Sequence, residues 1–223
     1  MVVFVQNAEK LLGLWCQNER VILKGDKMGM FLNMAELLEE RQIGDWKLEH
    51  FTVDSKNWRA RIDGITPGTY VRLLHCWECV MSDTNMEKRT NMDFCINAYG
   101  DILIGGLGIG MIILAIQDNP EVKSITVIEK NQEVIDLVAS QLNFNEKVKI
   151  VCADVFEWKP ESGVKYDVSY MDIWSWINED IYEREMKPLK RRYSRFLRSK
   201  KENPNRYNKC WAEYQARTGR RLA

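Results

Sequence analysis

Residues 101–110 read DILIGGLGIG, an apolar run that passes into four closely spaced glycines. A short uncharged run bounded by glycines is typical of a buried β-strand that ends in a tight turn. Residues 111–117 (MIILAIQ) then continue as a predicted helix. Glycine lets the backbone turn sharply and approach a ligand, and the first N–H groups of the following helix have no helical partner. The stretch therefore predicts a strand, a glycine turn and a helix that together can bind a ligand.

Three further strands follow, separated by helical segments. They are predicted at residues 124–128, 148–152 and 166–171. Between the first two, Asn131 can cap a helix whose apolar residues recur at three- and four-residue spacing. Strands that alternate with helices are the pattern of a parallel α/β sheet built from crossover units.

Each of these three strands is followed closely by a carboxylate, namely Glu129, Asp154 or Asp172. In an open parallel sheet the carboxyl ends of the strands meet at one crevice, where ligands bind. Glu129 lies 19 residues after Gly110, a position suited to accepting both hydroxyls of a ribose. Asp154 is placed to accept an amino group such as that of adenine. The sequence therefore predicts a site for an adenosine-containing ligand.

The first 95 residues have a different pattern of apolar and polar residues. Residues 7–16 predict a helix, and Asn33 is expected to cap a second helix that extends to Arg41. Residues 47–53, 58–65 and 70–80 are interpreted as strands joined by turns. We therefore expect three parts: a helical and β-rich unit over residues 1–95, a nucleotide-binding α/β core over 96–176, and a basic helical tail over 177–223 that packs on the core.

Six cysteines occur in this chain of 223 residues. We interpret them as reduced, since disulfide frameworks belong mainly to small secreted domains. Cys76 and Cys79 have the spacing of half a zinc site, with His75 beside them. No second pair completes such a site, and on a strand residues three apart point to opposite faces. We expect structural roles and no metal, with a redox or metal role as the alternative.

Net charge is zero over the whole chain, but it is unevenly distributed. Residues 176–223 contain 14 Lys/Arg and 6 Asp/Glu, a balance of +8 that leaves −8 for the rest. The segment 186–201 holds eight basic residues and no acidic one. This segment can bind a nucleic-acid backbone, or it can be a solvated helix face that balances an acidic body, in a monomer or across a homodimer contact. We favour the second interpretation, because the aromatic residues fall on the expected packing face.

Two segments that resemble targeting or membrane signals do not fit those functions. The uncharged run 102–116 is 15 residues long, shorter than the roughly 20 residues of a membrane span. The beginning of the chain has no basic region before its short apolar stretch, which argues against a secretory signal. We therefore expect a cytoplasmic protein with no membrane partner.

Residues 101–174 resemble the nucleotide-binding half of class I S-adenosylmethionine-dependent methyltransferases, and within them the spermidine synthase-like group. The resemblance is carried by DILIGGLGIG, ITVIEK, VKIVCADVF and YDVSYMDIW. It implies a Rossmann-like sheet, a methyl or aminopropyl transfer, and S-adenosylmethionine or decarboxylated S-adenosylmethionine as the cofactor. The identity of the acceptor stays open, and we expect a small molecule. Because no strand is evident after residue 174, the sheet is expected to be truncated after the fourth strand.

Site residues follow from this resemblance position by position. Within the turn Gly105 to Gly110, the glycines Gly106, Gly108 and Gly110 would lie against the methionine side of the cofactor. Glu129 would hold the ribose, and Asp154 and Val155 would lie beside the adenine. Asp172 would take the place of the aspartate that orients and deprotonates an attacking amine in polyamine synthases. The cofactor-binding prediction is thus Gly105, Gly106, Gly108, Gly110, Glu129, Asp154 and Val155, and the catalytic prediction is Asp172.

The sequence departs from the polyamine synthases in two places near the site. Their glycine turn contains an acidic residue, where this chain has only Leu107 and Ile109, and their catalytic aspartate is followed by small polar residues, where this chain has Ile173 and Trp174. Trp174 and Trp176 can wall an acceptor pocket or belong to the core. Two alternatives remain: a nicotinamide-dependent oxidoreductase, and an inactive nucleotide-binding or scaffold module of the same fold.

Overall fold

Two β-sheets organise the structure, a computed structural model that describes residues 27–62 and 64–222. The described residues from 31 onward belong to one unit, and residues 27–30 belong to another. Of the smaller unit only the 3-10 turn Lys27–Met30 lies within the described residues. The helix predicted over residues 7–16 falls outside them.

The first sheet is antiparallel and follows the chain order β1-β2-β3-β4. Its strands are β1 (Arg41–Ile43), β2 (Trp46–Val53), β3 (Gly68–His75) and β4 (Glu78–Ser82). It begins after a 3-10 turn, Met34–Glu36, which Asn33 caps by accepting a hydrogen bond from the Ala35 amide at 3.3 Å. The cap was predicted, but the helix expected to reach Arg41 is this single turn, because β1 starts there.

Two of the strands predicted in this region are wrong. Most of residues 58–65 form helix α1 (Trp58–Ile62), which starts where the Asn57 side chain accepts a hydrogen bond from the Ala60 amide at 3.1 Å. Residues 70–80 are a hairpin rather than one strand. Cys76 and Trp77 both have positive φ, 48° and 71°, and reverse the chain between β3 and β4. A two-residue turn of this kind favours Asn and Gly, so the sequence Cys-Trp did not predict a turn here.

The second sheet is wholly parallel and has the order β7-β6-β5-β8-β9. Its strands are β5 (Gly100–Gly105), β6 (Val122–Glu129), β7 (Val148–Cys152), β8 (Val168–Met171) and β9 (Tyr207–Cys210). The predicted α/β class with a Rossmann-like parallel sheet is confirmed. The order reverses at β5, so the glycine turn that follows β5 lies where such sheets bind ligands.

The prediction that the sheet ends after its fourth strand is wrong. Strand β9 adds a fifth parallel strand beside β8, with Val168 opposite Tyr207 and Met171 opposite Cys210. Part of the tail that was predicted to be helical is therefore this strand, and a short helix, Glu213–Thr218, follows it. The sequence Tyr-Asn-Lys-Cys is short and half polar, so its strand character comes from pairing with β8 and not from its own pattern.

The remaining helices connect the strands or follow β8. They are α2 (Asn85–Ile96), α3 (Met111–Ile116), α4 (Gln132–Val138), α5 (Glu179–Ile181), a π-helical turn (Tyr182–Met186), α6 (Lys187–Ser194) and α7 (Glu213–Thr218). No helix among the described residues is both long and apolar enough to cross a bilayer.

The core lies where the helices cover the parallel sheet. Ile102 and Ile104 of β5 are fully buried, and Tyr193 of α6 is buried against the same sheet. The Tyr193 hydroxyl donates a hydrogen bond to the Val155 carbonyl at 2.6 Å. Burial of such large side chains contributes about 1.5–3 kcal/mol each, so the tail after residue 177 is part of the core packing.

Several basic residues of the tail are engaged within the chain. Lys187 pairs with Glu183 at 2.7 Å, and Lys190 pairs with Glu213 at 2.8 Å. Arg192 donates to the Glu157 carbonyl at 2.6 Å. These contacts support the interpretation of the tail as a charge-balanced face of this protein, while nucleic-acid binding stays a prediction.

Arg198 joins the tail to the amino-terminal ends of the parallel strands. Its guanidinium contacts Asp101 at 2.7 Å and Asp167 at 2.6 Å. Asp167 also accepts hydrogen bonds from the Asp101 amide and from the Asn203 side chain. The guanidinium lowers the pKa of Asp101, against the opposing effect of partial burial. The network fixes the tail across the amino-terminal ends of β5 and β8.

Arg198→Ala should therefore destabilise the fold, because it leaves two carboxylates without their shared partner. We expect a loss of about 1–2 kcal/mol in the free energy of unfolding, since the pair is partly solvated. Urea denaturation measures it. Arg191→Ala is the matched control, because Arg191 is an exposed residue of the same tail. Equal stability of the two variants would contradict the assigned role.

Candidate active site

The glycine turn after β5 has the backbone geometry that only glycine adopts easily. Gly106, Gly108 and Gly110 have φ of +94°, +52° and +75°. A Cβ on Gly106 would lie 2.2 Å from the Asp172 carbonyl oxygen, and one on Gly108 would lie 2.2 Å from Sδ of Met81. The turn is therefore packed directly against the loop after β8 and against strand β4.

Gly105 and Gly110 serve packing on other sides of the turn. A Cβ on Gly105 would meet Sδ of Met171 at 2.6 Å, and one on Gly110 would meet Cδ1 of Leu142 at 2.5 Å. Neither residue lines the cavity described below. Of the four glycines predicted to bind the cofactor, Gly106 and Gly108 therefore line the cavity, and Gly105 and Gly110 do not.

A cavity of about 280 Å³ opens at the carboxyl ends of the parallel strands. Six of the residues predicted from the sequence line it together: Gly106, Gly108, Glu129, Asp154, Val155 and Asp172. The antiparallel sheet closes another side, through Trp46, Leu73 and Met81. The predicted strand-end carboxylates therefore share one concave site.

Glu129 ends β6 and is buried. One of its carboxylate oxygens accepts a hydrogen bond from the Leu107 amide at 2.9 Å, and the other accepts one from the Asn131 amide at 2.9 Å. Two backbone donors thus fix this carboxylate between the glycine turn and the start of α4. Oε1 also accepts a hydrogen bond from the Asn131 side chain at 3.2 Å, so the second lone pair of Oε2 remains for a ligand hydroxyl.

Asp154 follows β7 and is partly buried. Its carboxylate contacts the Lys130 ammonium at 2.9 Å and accepts a hydrogen bond from the Phe156 amide at 2.8 Å. The hydrogen bond from Lys130 lowers the pKa of Asp154, so this group is ionised at neutral pH. Lys130 is largely exposed, at 68% of its side-chain surface.

Asp172 follows β8 and faces the same cavity. Loss of solvation raises its pKa to about 7, partly offset by a hydrogen bond with the Asn91 side chain. Near neutral pH it is therefore divided between its acid and its carboxylate form. A group with such a pKa can take up a proton and release it again.

Glu87 of α2 is a further acidic residue of the cavity and was not among the predicted site residues. It is only 8% exposed and lines the cavity. Burial raises its pKa to about 8, with a smaller contribution from the charge of Asp172. The pattern Thr84-x-x-Glu87 at a helix start is typical of a capping box. The capping-box pattern predicts that Glu87 helps to start the helix and does not predict a site residue. The Thr84 side chain, however, makes no capping hydrogen bond.

Tryptophans form much of the remaining wall: Trp46, Trp174 and Trp211. The Trp174 indole N–H donates to the Glu185 carboxylate at 2.7 Å, and that of Trp211 donates to the Thr90 hydroxyl at 3.0 Å. Trp174 lines the cavity and is at the same time a buried residue of the core. Trp176 is 63% exposed and borders a neighbouring groove instead.

The cysteine pair lies at the β3–β4 turn, away from the cavity lining. Cys76 and Cys79 are exposed, and Sγ of Cys76 is 3.8 Å from Nε2 of His75. Within residues 27–62 and 64–222 no group of three or more potential metal ligands comes together.

Comparisons with known proteins give similarities at the level of structure. The chain is similar to a spermidine synthase solved in complex with the transition-state analogue AdoDATO (TM-score 0.44, 14% identity, 72% of this chain and 52% of that one). It is also similar to spermidine synthase from Thermotoga maritima (0.39, 17%, 66% and 50%). A third is the plantazolicin methyltransferase BpumL in complex with SAH (0.35, 22%, 45% and 35%).

No protein-family model matches the sequence, and a search of curated proteins finds no match. The chain aligns with about a third to a half of the length of the three solved proteins named above.

Gly106→Ala should disrupt the site, because the new methyl group would collide with the Asp172 carbonyl. Gly163 provides a matched control: its φ is +86°, but nothing lies within 4 Å of an added Cβ. Both alanines carry backbone strain of about 1–2 kcal/mol, and Gly106→Ala should lose roughly 1–3 kcal/mol more. Thermal unfolding of both variants measures the difference. Equal losses would show that the turn and the Asp172 loop are not in contact.

Glu87→Gln should change how stability depends on pH. The unfolded chain releases the Glu87 proton near pH 4.5, and the folded chain holds it until about pH 8. Stability of the wild type therefore falls as the pH rises between these values. Relative to wild type, Glu87→Gln should gain about 2–4 kcal/mol from pH 5 to pH 8. Exposed Glu133→Gln is the control, and parallel pH curves for Glu87→Gln and wild type would refute the burial of this carboxyl.

Proposed function

We propose that this chain is a transferase that uses S-adenosylmethionine, or its decarboxylated form, and transfers a methyl or aminopropyl group to a small acceptor. The single observation that carries the proposal is that the glycine turn, Glu129, Asp154 and Asp172 line one cavity. Fold alone does not define activity, so these side chains, and not the fold, support the proposal.

The strand order divides the cavity into two halves. Residues after β6 and β7 lie on one side of the glycine turn, and residues after β8 and β9 lie on the other. The first half offers the Glu129 carboxylate beside the turn, and then Val155 and Phe156 beside Asp154. A carboxylate for the ribose hydroxyls and an apolar wall with a polar edge for adenine suit an adenosine group.

The residues present fit such a cofactor. Gly106 and Gly108 line the cavity without side chains, and Glu129 is already held by two amides. When bound, the cofactor would supply a carbon activated by an adjacent positively charged sulfur. Glu129, Asp154 and Val155 would hold it, and Gly106 and Gly108 would let its sulfur-bearing chain lie close to the backbone.

The second half would bind the acceptor and manage its proton. In-line displacement at an activated carbon needs mainly orientation of the acceptor and exclusion of water. The tryptophans and Met81 would exclude water. An amine acceptor arrives protonated at neutral pH, and Asp172 would accept that proton at its carboxylate, for which a pKa of about 7 is suitable.

Isothermal titration with S-adenosylmethionine, S-adenosylhomocysteine, decarboxylated S-adenosylmethionine and NAD tests the proposal. We expect the sulfur nucleosides to bind and NAD to fail. Glu129→Ala should weaken binding by about 1–3 kcal/mol, the usual effect of losing a charged hydrogen-bond partner. Glu133→Ala removes an exposed carboxylate from the neighbouring helix and should leave affinity unchanged.

The outcomes separate the alternatives. Binding of NAD without the sulfur nucleosides would favour the oxidoreductase and overturn the proposal. Binding of the sulfur nucleosides without any turnover, across a panel of amine and other small acceptors, would favour an inactive binding module. Loss of turnover in Asp172→Asn, with nucleoside binding retained, would support the role given to Asp172.

A further inference from the structure

We propose that Asn91 of α2 is a positioning residue for Asp172, and that the Tyr170 hydroxyl fixes the Asn91 side-chain amide so that it donates to the Asp172 carboxylate. This inference rests on the proposed function and deepens it, because it names the groups that keep the proton acceptor in place. Asn91 and Tyr170 lie outside the cavity lining, and neither was among the predicted site residues.

Tyr170 and Asp172 lie on the same side of the parallel sheet. Side chains two residues apart on a strand share a face, and β8 continues up to Met171, immediately before Asp172. The Tyr170 ring stacks on Phe94 of α2, with ring centroids 4.2 Å apart and 4° between the planes. Helix α2 therefore covers this face of β8 and meets the side on which Asp172 lies.

Two contacts of opposite character hold the Asn91 amide. Asn91 is fully buried. Its Nδ2 donates to the Glu87 backbone carbonyl at 3.1 Å, and its Oδ1 accepts from the Tyr170 hydroxyl at 2.9 Å. Since a carbonyl only accepts, the amide nitrogen must face Glu87, and the amide oxygen then faces the tyrosine. Together the two contacts select one of the two orientations of this amide.

The selected orientation supplies Asp172 with a donor. An amide nitrogen carries two N–H groups, and the Glu87 carbonyl takes one of them. The Asn91 side chain also forms a hydrogen bond with the Asp172 carboxylate, and it lowers the pKa that burial raises to about 7. In the reversed orientation the amide oxygen would face the carboxylate and repel it. Tyr170 thus acts on Asp172 through Asn91.

This chain of hydrogen bonds matters for the proposed chemistry. Asp172 can accept a proton from an acceptor only in its carboxylate form. A buried carboxylate without a donor is disfavoured, so loss of the Asn91 contact would leave Asp172 mostly protonated at neutral pH. Asn91 would therefore decide over which pH range Asp172 can act as a base.

The titratable groups that interact with Asp172 come from three elements. They are Glu87 and Cys95 of α2, Tyr170 of β8 and Cys210, the last residue of β9. Burial raises the pKa of both thiols and of the phenol, which therefore stay neutral up to pH 9. Glu87 has a pKa of about 8 and ionises in the same range as Asp172. Glu87→Gln removes that charge and keeps the backbone carbonyl that Asn91 contacts.

Carbon-13 NMR of the full chain, labelled at the aspartate side-chain carboxyls, measures the ionisation of Asp172 directly. Asp172→Asn identifies its signal by removing it. The titration covers pH 5 to pH 9 and uses Glu87→Gln as the common background. Into this background are introduced Tyr170→Phe, Asn91→Leu, and both together.

We expect Asn91→Leu to make Asp172 about a tenfold weaker acid, the effect of removing a donor to a charged oxygen. Tyr170→Phe should act in the same direction, because the amide loses the contact that selects its orientation. Added to Asn91→Leu, Tyr170→Phe should have no further effect. A merely structural role of the tyrosine would not depend on Asn91 in this way.

Tyr207→Phe is the matched control. Tyr207 is also a buried tyrosine whose hydroxyl bonds to α2, but its partner is Asp93, at 2.9 Å. This variant should leave the ionisation constant of Asp172 within about twofold of the background. An equal change in Tyr207→Phe and Tyr170→Phe would count against the inference.

Two results would overturn the inference. One is an ionisation constant that stays within about twofold of the background in Tyr170→Phe. This variant keeps the ring and its packing, so it decides the question even if Asn91→Leu does not fold. The other is an equal effect of Tyr170→Phe with and without Asn91.

The NMR titration needs no ligand, so it is independent of the proposed function. Failure of the wild type to bind any sulfur nucleoside would overturn that function, while the titration would still decide the role of Asn91. Where both hold, Asn91→Leu should bind S-adenosylhomocysteine with an affinity within about twofold of wild type, because the nucleoside residues Glu129 and Asp154 lie in the other half of the cavity.

Discussion

The close approach of Gly106 to the Asp172 carbonyl is the constraint on which the site depends. Strands β5 and β8 pair in parallel, and the Asp172 amide donates to the Gly105 carbonyl at 2.8 Å. One residue further, the space for a side chain on Gly106 is already filled by the Asp172 backbone. The absence of a Cβ therefore brings the glycine turn and the Asp172 loop into contact. The two halves of the cavity meet at this point.

The acids of the cavity occupy two electrostatic environments, set by the elements around them. Glu129 and Asp154 are satisfied by backbone amides and by Lys130. Glu87 and Asp172 have raised pKa values because they lose solvent without gaining a cation. The first environment holds a fixed negative charge, and the second can exchange protons near neutral pH. Such a division suits a site that binds a nucleoside at one end and an amine at the other.

The tail stabilises the site from a distance. The Tyr193 hydroxyl donates a hydrogen bond to the Val155 carbonyl beneath the half of the cavity formed after β6 and β7, and Arg198 joins Asp101 and Asp167 at the opposite ends of the strands. Strand β9 lies beside β8 and leads into Trp211, which borders the cavity. The residues after 177 thus complete the sheet and close the site, which explains why their basic side chains are so often paired within the chain.

Local pattern alone determined the first four parallel strands, the glycine turn and the carboxylates at the strand ends, because alternation of apolar runs with turns reflects burial directly. It did not determine β9, whose four residues become a strand only by pairing with β8. It also did not determine helix α1, where the Asn57 cap outweighs a composition typical of a strand. Glu87 was hidden for the same reason: its sequence context describes a helix start, and only the packing of α2 on β8 and β9 turns that carboxyl into the cavity. Interactions between residues distant in the chain decide these features, and no short stretch of sequence records them.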